Sequence, residues 1–444
     1  MLKTFPKGGV HPKENKFSAG KPIECIDLPQ QVSIPIAQHI GAPAEPIVKK
    51  GESVKVGQLI AKSSGFVSAN IHSSVSGIVS KIDKIPDSTG YKQTCIIIDV
   101  EGDEWLETID RSIDIRNDFT NISIEEIKSK ITDSGIVGSG GATFPTHVKL
   151  SVPPGKTCEN LVINAVECEP YLTSDHQLML EKAEEIMIGC KLAQKVTGAK
   201  KIIIGIENNK PDAIKHMTAI SKKFDNIEVN PLKVMYPQGG EKQLIKSLLN
   251  REVPSGGLPI DVGCIVQNVG TAFAIYEAVQ KNKPYFERVV TVTGKSVKKP
   301  SNILARIGTS ANWLIEAAGG LPEDTGKIVS GGPMMGKAVS TDNIPVTKGT
   351  SGILIIPENM SSRPQSFNCI RCGRCVSVCP MGLEPYLLKN MSVVRMYEEM
   401  QKERALDCME CGSCSYTCPA GVPLLDYIRL GKANVNKILR SKKA

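Results

Sequence analysis

"GIVGSGGATFPTHVKL", Gly135 to Leu150, is the stretch on which the reading of this chain turns. Its glycines at 138, 140 and 141 let backbone amides converge on an anion, yet Thr143 fills the third position of a dinucleotide fingerprint. That fingerprint needs a strand before the glycines. Here "SIEEIKSKITDSG" puts Ser123 and Glu126 at capping-box spacing and Ile127 and Ile131 at helical spacing. The loop therefore follows a helix. A glycine turn with free amides still forms a nest for a phosphate, and Lys149 adds charge.

Outward from the loop, "LVINAVE", "KIIIGIE", "IEVNPLKVM" and "DVGCIVQN" read as strands. Helical stretches separate them, such as "SDHQLMLEKAEEIMIGCKLAQKVTG" and "KPDAIKHMTAISKKF", with Pro211 suited to a first turn and Gly198 to a helix end. Alternation of this kind over 115–282 predicts an α/β layer fold with a largely parallel sheet. Upstream, within 1–105, "PAEPIVKKGESVKVGQLIAKSSGFVSANIHSSVSGIVSKI" alternates apolar and polar residues between glycine turns, which predicts a small β-sandwich or barrel. It resembles the barrel-sandwich fold of biotinyl and lipoyl carriers, but the matching tip "SGFVSANIHSS" has no acceptor lysine, so a structural or docking role is expected. Downstream, 287–358 carries "VVTVTG", "KIVSGG" and "SGILIIP" around one short helix, "SANWLIEAAGG"; this resembles a soluble-ligand-binding β-grasp module. The fold class is thus multidomain α/β plus β, and "SSRPQS" is the linker to a last domain at 363–432.

That last domain holds the strongest signal. "CIRCGRCVSVCP" and "CMECGSCSYTCP" both match C-x2-C-x2-C-x3-C-P and lie 39 residues apart, an internal duplication. Three cysteines two residues apart wrap three corners of a [4Fe-4S] cubane, and the fourth, behind its proline, serves the other cluster. Cys369, Cys372, Cys375 and Cys418 are assigned to one cluster, and Cys379, Cys408, Cys411 and Cys414 to the second. A zinc ribbon explains neither the triplets nor the prolines. Between the cassettes "EPYLLKNMSVVRMYEEMQKERALD" reads as helix, pointing to an α-helical ferredoxin module. Of the other cysteines, 25, 95, 158, 190 and 264 are expected to be buried small apolar residues, and Cys168 stands near the site segment.

The formal net charge of +8 comes from scattered Lys and Arg, which suits an acidic partner or anionic headgroups and not nucleic acid. No apolar run reaches the roughly 20 residues of a membrane-spanning helix, and the amino terminus lacks the apolar core of a secretory signal, so a cytoplasmic, peripheral protein is expected. The carboxy-terminal "LGKANVNKILRSKKA" reads as a basic helix end.

Iron-sulfur clusters pass single electrons and nicotinamide coenzymes exchange hydride, so a chain joining them needs a converter, for which flavin is the usual choice. The residues now assembled carry a resemblance. "GSGGATFPTHVK", "NAVECEP" and "YPQGGEKQLI" resemble the flavin and NADH site of the flavoprotein subunit of respiratory complex I. With "HPKENK", "QHIGAPAEPIVKKG", "SANIHSSVSG", "QNVGTAFAI" and both cassettes, nearly the whole chain resembles the RnfC family, a component of Rnf-type ion-translocating electron transport complexes. The resemblance implies electron exchange with NAD(H) through noncovalent FMN and two [4Fe-4S] clusters. It also implies a place on the cytoplasmic face of the cell membrane, beside the membrane subunits and the other iron-sulfur subunit of the complex, with ferredoxin as an indirect partner. Gly138, Gly140, Gly141 and Lys149 would hold the flavin phosphate and ribityl chain. Asn164 and Glu167 would line the flavin, with Phe144 and Glu169 toward the nicotinamide; Glu167 and Phe144 carry the catalytic assignment. Tyr236, Gly239, Glu241, Asn268 and Thr271 match later flavin-contacting segments. The complex I pattern is broken at Val166 and Gly240, where it has acids, and at "VPSGGLPID" in place of a basic stretch. A diaphorase subunit of a soluble hydrogenase or dehydrogenase, and a flavin-free iron-sulfur adaptor, are the competing readings.

Overall fold

The computed structural model describes residues 2–442, so the last two residues of the basic tail lie outside the described residues. At its centre is a four-stranded parallel sheet in the order Ile227–Leu232, Lys201–Glu207, Asn160–Asn164, Cys264–Asn268. Apart from the edge strand Ile227–Leu232, the strands are buried on both faces because alternate residues feed two cores. Leu161, Ile163, Ile202, Ile204 and Ile265 pack against the helices Ala183–Thr197 and Val269–Lys281. Val162, Ile203 and Val266 pack under the helix Glu241–Leu249. Parallel strands need such two-sided cover. Gly189 lets the first two helices touch, since a Cβ there would stand 1.8 Å from the Ala272 carbonyl oxygen.

Chain order in the sheet reverses between Asn160–Asn164 and Cys264–Asn268. Open α/β sheets place ligands outside the carboxyl ends of strands at such a switch point, and here those ends are the paired residues Asn164 and Asn268. The long helical stretch after the first strand is two helices, Ser174–Glu181 and Ala183–Thr197, broken at Lys182. Gly198 ends the second with φ +67°, and Pro211 opens Pro211–Ser221, as their chemistry predicts.

The barrel-sandwich has two sheets, Gln31–Pro35/Lys92–Gly102/Ser76–Pro86/Ser53–Val54 and Glu45–Pro46/Leu59–Lys62/Ile71–His72, enclosing Val32, Ile34, Val54, Ile60, Ile71, Val79, Ile96 and Ile98. Residues 68–74 of the lysine-free tip are buried. Asn70 Nδ2 donates to the Asp133 carbonyl at 3.2 Å, and Ser74 Oγ to that of Ile307 at 2.5 Å. The tip is thus a docking wedge between domains.

Residues before 31 lie outside the two barrel sheets. Ile23–Cys25 is a parallel edge strand on Ser301–Arg306 in the six-stranded β-grasp sheet, and residues 2–22 form a strap over other domains. The edge position also explains why Cys25 is exposed, against the expectation of burial. The β-grasp sheet itself packs Val290, Val292, Ile303 and Ile353 on the Ala311–Ala317 helix, capped by Ser310.

Among the described residues the last domain is helical: Arg374–Ser377, Pro385–Val393, Tyr397–Lys402, Ser413–Tyr416 and Leu424–Ser441. The segment between the cassettes is two helices rather than one, because Arg395 at φ +60° turns the chain and Arg404 at φ +59° ends the second. The final helix runs past residue 432 to Ser441 and buries Leu424, Leu425, Ile428 and Val435. No helix among the described residues is long and apolar enough to cross a membrane.

Candidate functional site

The helix Ile124–Asp133 begins on Ser123, whose hydroxyl accepts from the Glu126 amide, and delivers the chain into the glycine loop. The loop is closed by Gly138 N–H donating to the Phe144 carbonyl at 3.0 Å and is pinned below by Ser139 N–H donating to Thr271 Oγ1 at 2.9 Å. Thr143 takes φ +52° and Gly141 φ +97°. Among the described residues, nothing accepts from the amides of Gly140, Gly141, Ala142 and Thr143. Unspent amides in sequence make a concave anion nest, so these residues fit a phosphate. Lys149, from the next short helix, bonds Glu241 Oε1 at 2.6 Å, which brings two of the expected residues together across the loop.

Behind the loop, the strand ends form one hydrogen-bonded floor. Asn164 Nδ2 donates to the Gly239 carbonyl at 2.8 Å. Asn268 caps its helix by accepting from the Gly270 amide, while its Nδ2 donates to Asp175 Oδ2 at 2.8 Å. Gly239 packs so closely that a Cβ would lie 3.2 Å from Cys168 Sγ. Gly138, Gly140, Gly141, Asn164, Gly239, Asn268 and Thr271 therefore converge on one cradle at the switch point.

The acids occupy a second wall. Glu167 spends its carboxylate on the amino terminus of Ser174–Glu181, accepting from the Asp175 and His176 amides at 2.8 and 3.2 Å, so it acts as a helix cap rather than a free group. Asp175, not singled out by sequence, is the buried acid beside it; burial first, then Glu167, raises its pKa. Glu169 accepts from the Met334 and Met335 amides at 3.1 and 2.8 Å, and burial outweighs those bonds to push its carboxyl up to about 7. A folded pKa above the unfolded value means that the folded state holds the extra proton between about 4.5 and about 7, so stability falls as pH rises through that window. Glu169→Gln should flatten this segment of a plot of thermal midpoint against pH. An equally steep decline in the variant would refute the assignment.

Tyr236 links this wall to the cysteines: its hydroxyl donates to the Cys411 carbonyl at 2.7 Å and lies 3.5 Å from Glu169 Oε1. Cys379, Cys408, Cys411 and Cys414 line one apolar cavity with Leu383, Leu388 and Ile428. Cys379 of the first cassette thus joins three cysteines of the second. Cys375 lies near Cys369 and Cys418, and Cys369 and Cys372 reach solvent. The cassettes repeat in backbone as well as sequence: Gly373 and Gly412 have φ +73° and +79°, and Arg371 and Glu410 have φ +55° and +60°. Among the described residues, no three His, Cys, Asp or Glu side chains converge as ligands of one ion do. Thiolates of a cubane bind four different irons and stand farther apart.

Four family models match in chain order: the RnfC barrel sandwich hybrid domain at 3–103, the Nuo51 FMN-binding domain at 131–277, the SLBB domain at 289–338 and a 4Fe-4S dicluster domain at 361–419. A component of the proton-translocating ferredoxin:NAD(+) oxidoreductase complex of Clostridium ljungdahlii is 48% identical over 407 residues, 91% of this chain and 87% of that one. The chain belongs to the RnfC family. Its counterpart in the Na(+)-translocating ferredoxin:NAD(+) oxidoreductase complex of Acetobacterium woodii is 44% identical, covering 97% of this chain and 96% of that one. The corresponding member of the ion-translocating oxidoreductase complex of Rhodobacter capsulatus is 40% identical over 86% of this chain and 74% of its own. Among solved structures, an NAD+-reducing [NiFe]-hydrogenase aligns with TM-score 0.50 and 19% identity over 70% of this chain and 61% of that one, a likeness of fold alone.

This RnfC chain therefore carries an FMN-binding domain and a 4Fe-4S dicluster domain, and the free amides of the glycine loop and the two cysteine sets fit those groups. Sequence reasoning missed Asp175 and Lys16, whose ammonium donates to the carbonyls of Glu167, Glu169 and Leu172. An acid in the first turn of a helix that follows a strand end is the signal that Asp175 offered.

Proposed function

We propose that this chain is the NAD(H)-reacting peripheral subunit of a membrane-bound, ion-translocating ferredoxin:NAD+ oxidoreductase, an enzyme acting within a complex. It would sit on the cytoplasmic face beside the membrane subunits and another iron-sulfur subunit. The observation that carries the reading is that the segment supplying Gly239 to the floor of the cradle also meets the buried cysteine set, through the Tyr236 hydroxyl on the Cys411 carbonyl. FMN bound in the cradle supplies the exchange between the two-electron chemistry of nicotinamide and the one-electron relay of the clusters.

For that exchange the chain need not hold or move a proton, so its residues act by positioning and electrostatics. The Gly140–Thr143 amides and Lys149 would bind the phosphate, Asn164, Asn268 and Thr271 would set the floor, and Phe144 and Glu169 would lie on the nicotinamide side. The inner cysteine set touches the flavin-side segment again where Gln243 Nε2 donates to the Pro380 carbonyl at 3.3 Å. The outer set, open to solvent at Cys369 and Cys372, faces a protein partner. That order, buried set near the cradle and exposed set outside, is what a through-protein electron path requires.

Anaerobic reconstitution tests the proposal: the protein should release FMN on denaturation, and NADH should bleach both flavin and cluster absorbance. Absence of flavin after reconstitution would sink it in favour of the adaptor reading. A gentle membrane pull-down that returns a hydrogenase subunit would favour the diaphorase reading.

A further inference from the structure

We propose that Lys16 is a positioning residue for the loop 167–172, which makes the amino-terminal strap part of the nicotinamide side of the site. The proposal rests on the functional reading above.

The strap holds the molecule at several points. Lys233 N–H donates to the Lys3 carbonyl at 2.9 Å, Val10 and Tyr236 exchange backbone bonds at 2.8 and 2.9 Å, and Gly9 N–H donates to the Val378 carbonyl at 2.9 Å, next to Cys379. Past these contacts it brings the half-buried Lys16 against the loop 167–172. The Nζ donates to Glu167 O at 3.0 Å, Glu169 O at 2.9 Å and Leu172 O at 2.6 Å. An ammonium has three donors and no acceptor, so three carbonyls satisfy it completely.

What it satisfies is a strained loop. Glu167 at φ +47° and Tyr171 at φ +71° are both left-handed without being glycine. Each such residue is strained and persists only where the surroundings over-determine it. They do so here from two sides. Lys210 Nζ donates to the Val166 carbonyl at 2.8 Å. From the strap, the Glu14 carbonyl accepts from Tyr171 N–H at 2.8 Å, Phe17 meets the Tyr171 ring edge-on at 5.8 Å, and Ser18 Oγ bonds Thr173 Oγ1 at 2.6 Å. Without the ammonium, three carbonyls would face one another unpaired, and relaxation of the loop would draw Glu169 away from the Met334 and Met335 amides.

The test uses the full chain with flavin and clusters loaded. Lys16→Met should keep flavin and iron, raise the KM for NADH about tenfold with a smaller change in kcat, and speed amide hydrogen exchange specifically in 166–173. Lys16→Arg, which retains donors and charge, should recover most of both. Ser18→Ala leaves the Lys16 charge in place and should move both readouts in the same direction by less; it decides the matter if Lys16→Met does not accumulate as folded protein. Unchanged KM and unchanged loop exchange overturn the proposal, as does a KM change without faster exchange in the loop. If wild-type flavin is not reduced by NADH, the functional reading fails, while the exchange data still decide whether Lys16 holds the loop.

Discussion

Cys379→Ser is expected to remove the cluster of the second cassette and spare that of the first, lowering iron from about eight to about four per chain. By chain position this is the wrong cluster, since Cys379 closes the first cassette. Its position in space argues otherwise: it is buried, and it shares a cavity with Cys408, Cys411 and Cys414. Cys418→Ser should do the reverse, because Cys418 lies near Cys375. The outcomes differ beyond the iron count. Loss of the inner cluster should break electron flow from flavin to any acceptor, whereas loss of the outer one should leave the inner cluster reducible by NADH. Iron and acid-labile sulfide analysis with low-temperature electron paramagnetic resonance distinguishes the two. If Cys379→Ser instead removes the cluster bound by Cys369, Cys372 and Cys375, the crossed ligation is wrong.

Gly140→Val should lower flavin content at least about tenfold, a loss of about 1.4 kcal/mol or more in binding, with iron unchanged. A Cβ at Gly140 would stand 3.1 Å from Asn268 Nδ2 and 3.3 Å from its Cγ. Asn268 cannot retreat cheaply, because it is held by Asp175 at 2.8 Å and caps its own helix through Gly270. The added branches of valine must therefore turn into the cradle. Gly141 offers the contrast: its φ is +97° but a Cβ there meets nothing within 4 Å. Gly141→Ala should thus cost only backbone strain, about 1 kcal/mol, and retain most of the flavin. Fluorescence of acid-released flavin per mole of protein reads both variants. Full flavin content in Gly140→Val would remove this loop from the flavin site.

Much of this was legible because the signals are local. Three cysteines two residues apart close a ligand loop wherever the chain goes, and both cassettes keep the same backbone turns at Gly373 and Gly412. Parallel strands buried on both faces must be nearly continuous apolar runs, so "KIIIGIE" could hardly be anything else. Caps act within one turn, which is why Ser123, Pro211 and Gly198 were readable.

The strap was not legible, since "HPKENK" has no periodicity and every partner of Lys16 lies about 150 positions away. A lysine in a polar run reads as solvated, and only the folding of the 167–172 loop around its ammonium supplies the three carbonyls it donates to. The capping contact of Glu167 was hidden for a similar reason: its carboxylate meets a helix amino terminus that exists only once Ser174–Glu181 has docked. Sequence by itself determined the domain types, the succession of strands and helices and the ligand chemistry, because spacing and hydrophobic alternation are properties of the covalent chain. Tertiary structure alone decided which cysteine set is buried beside the cradle and which faces solvent. It also brought Lys16 onto the carbonyls of the 167–172 loop and Tyr236 onto the Cys411 carbonyl, because hydrogen-bond partners at long range are set by packing between domains.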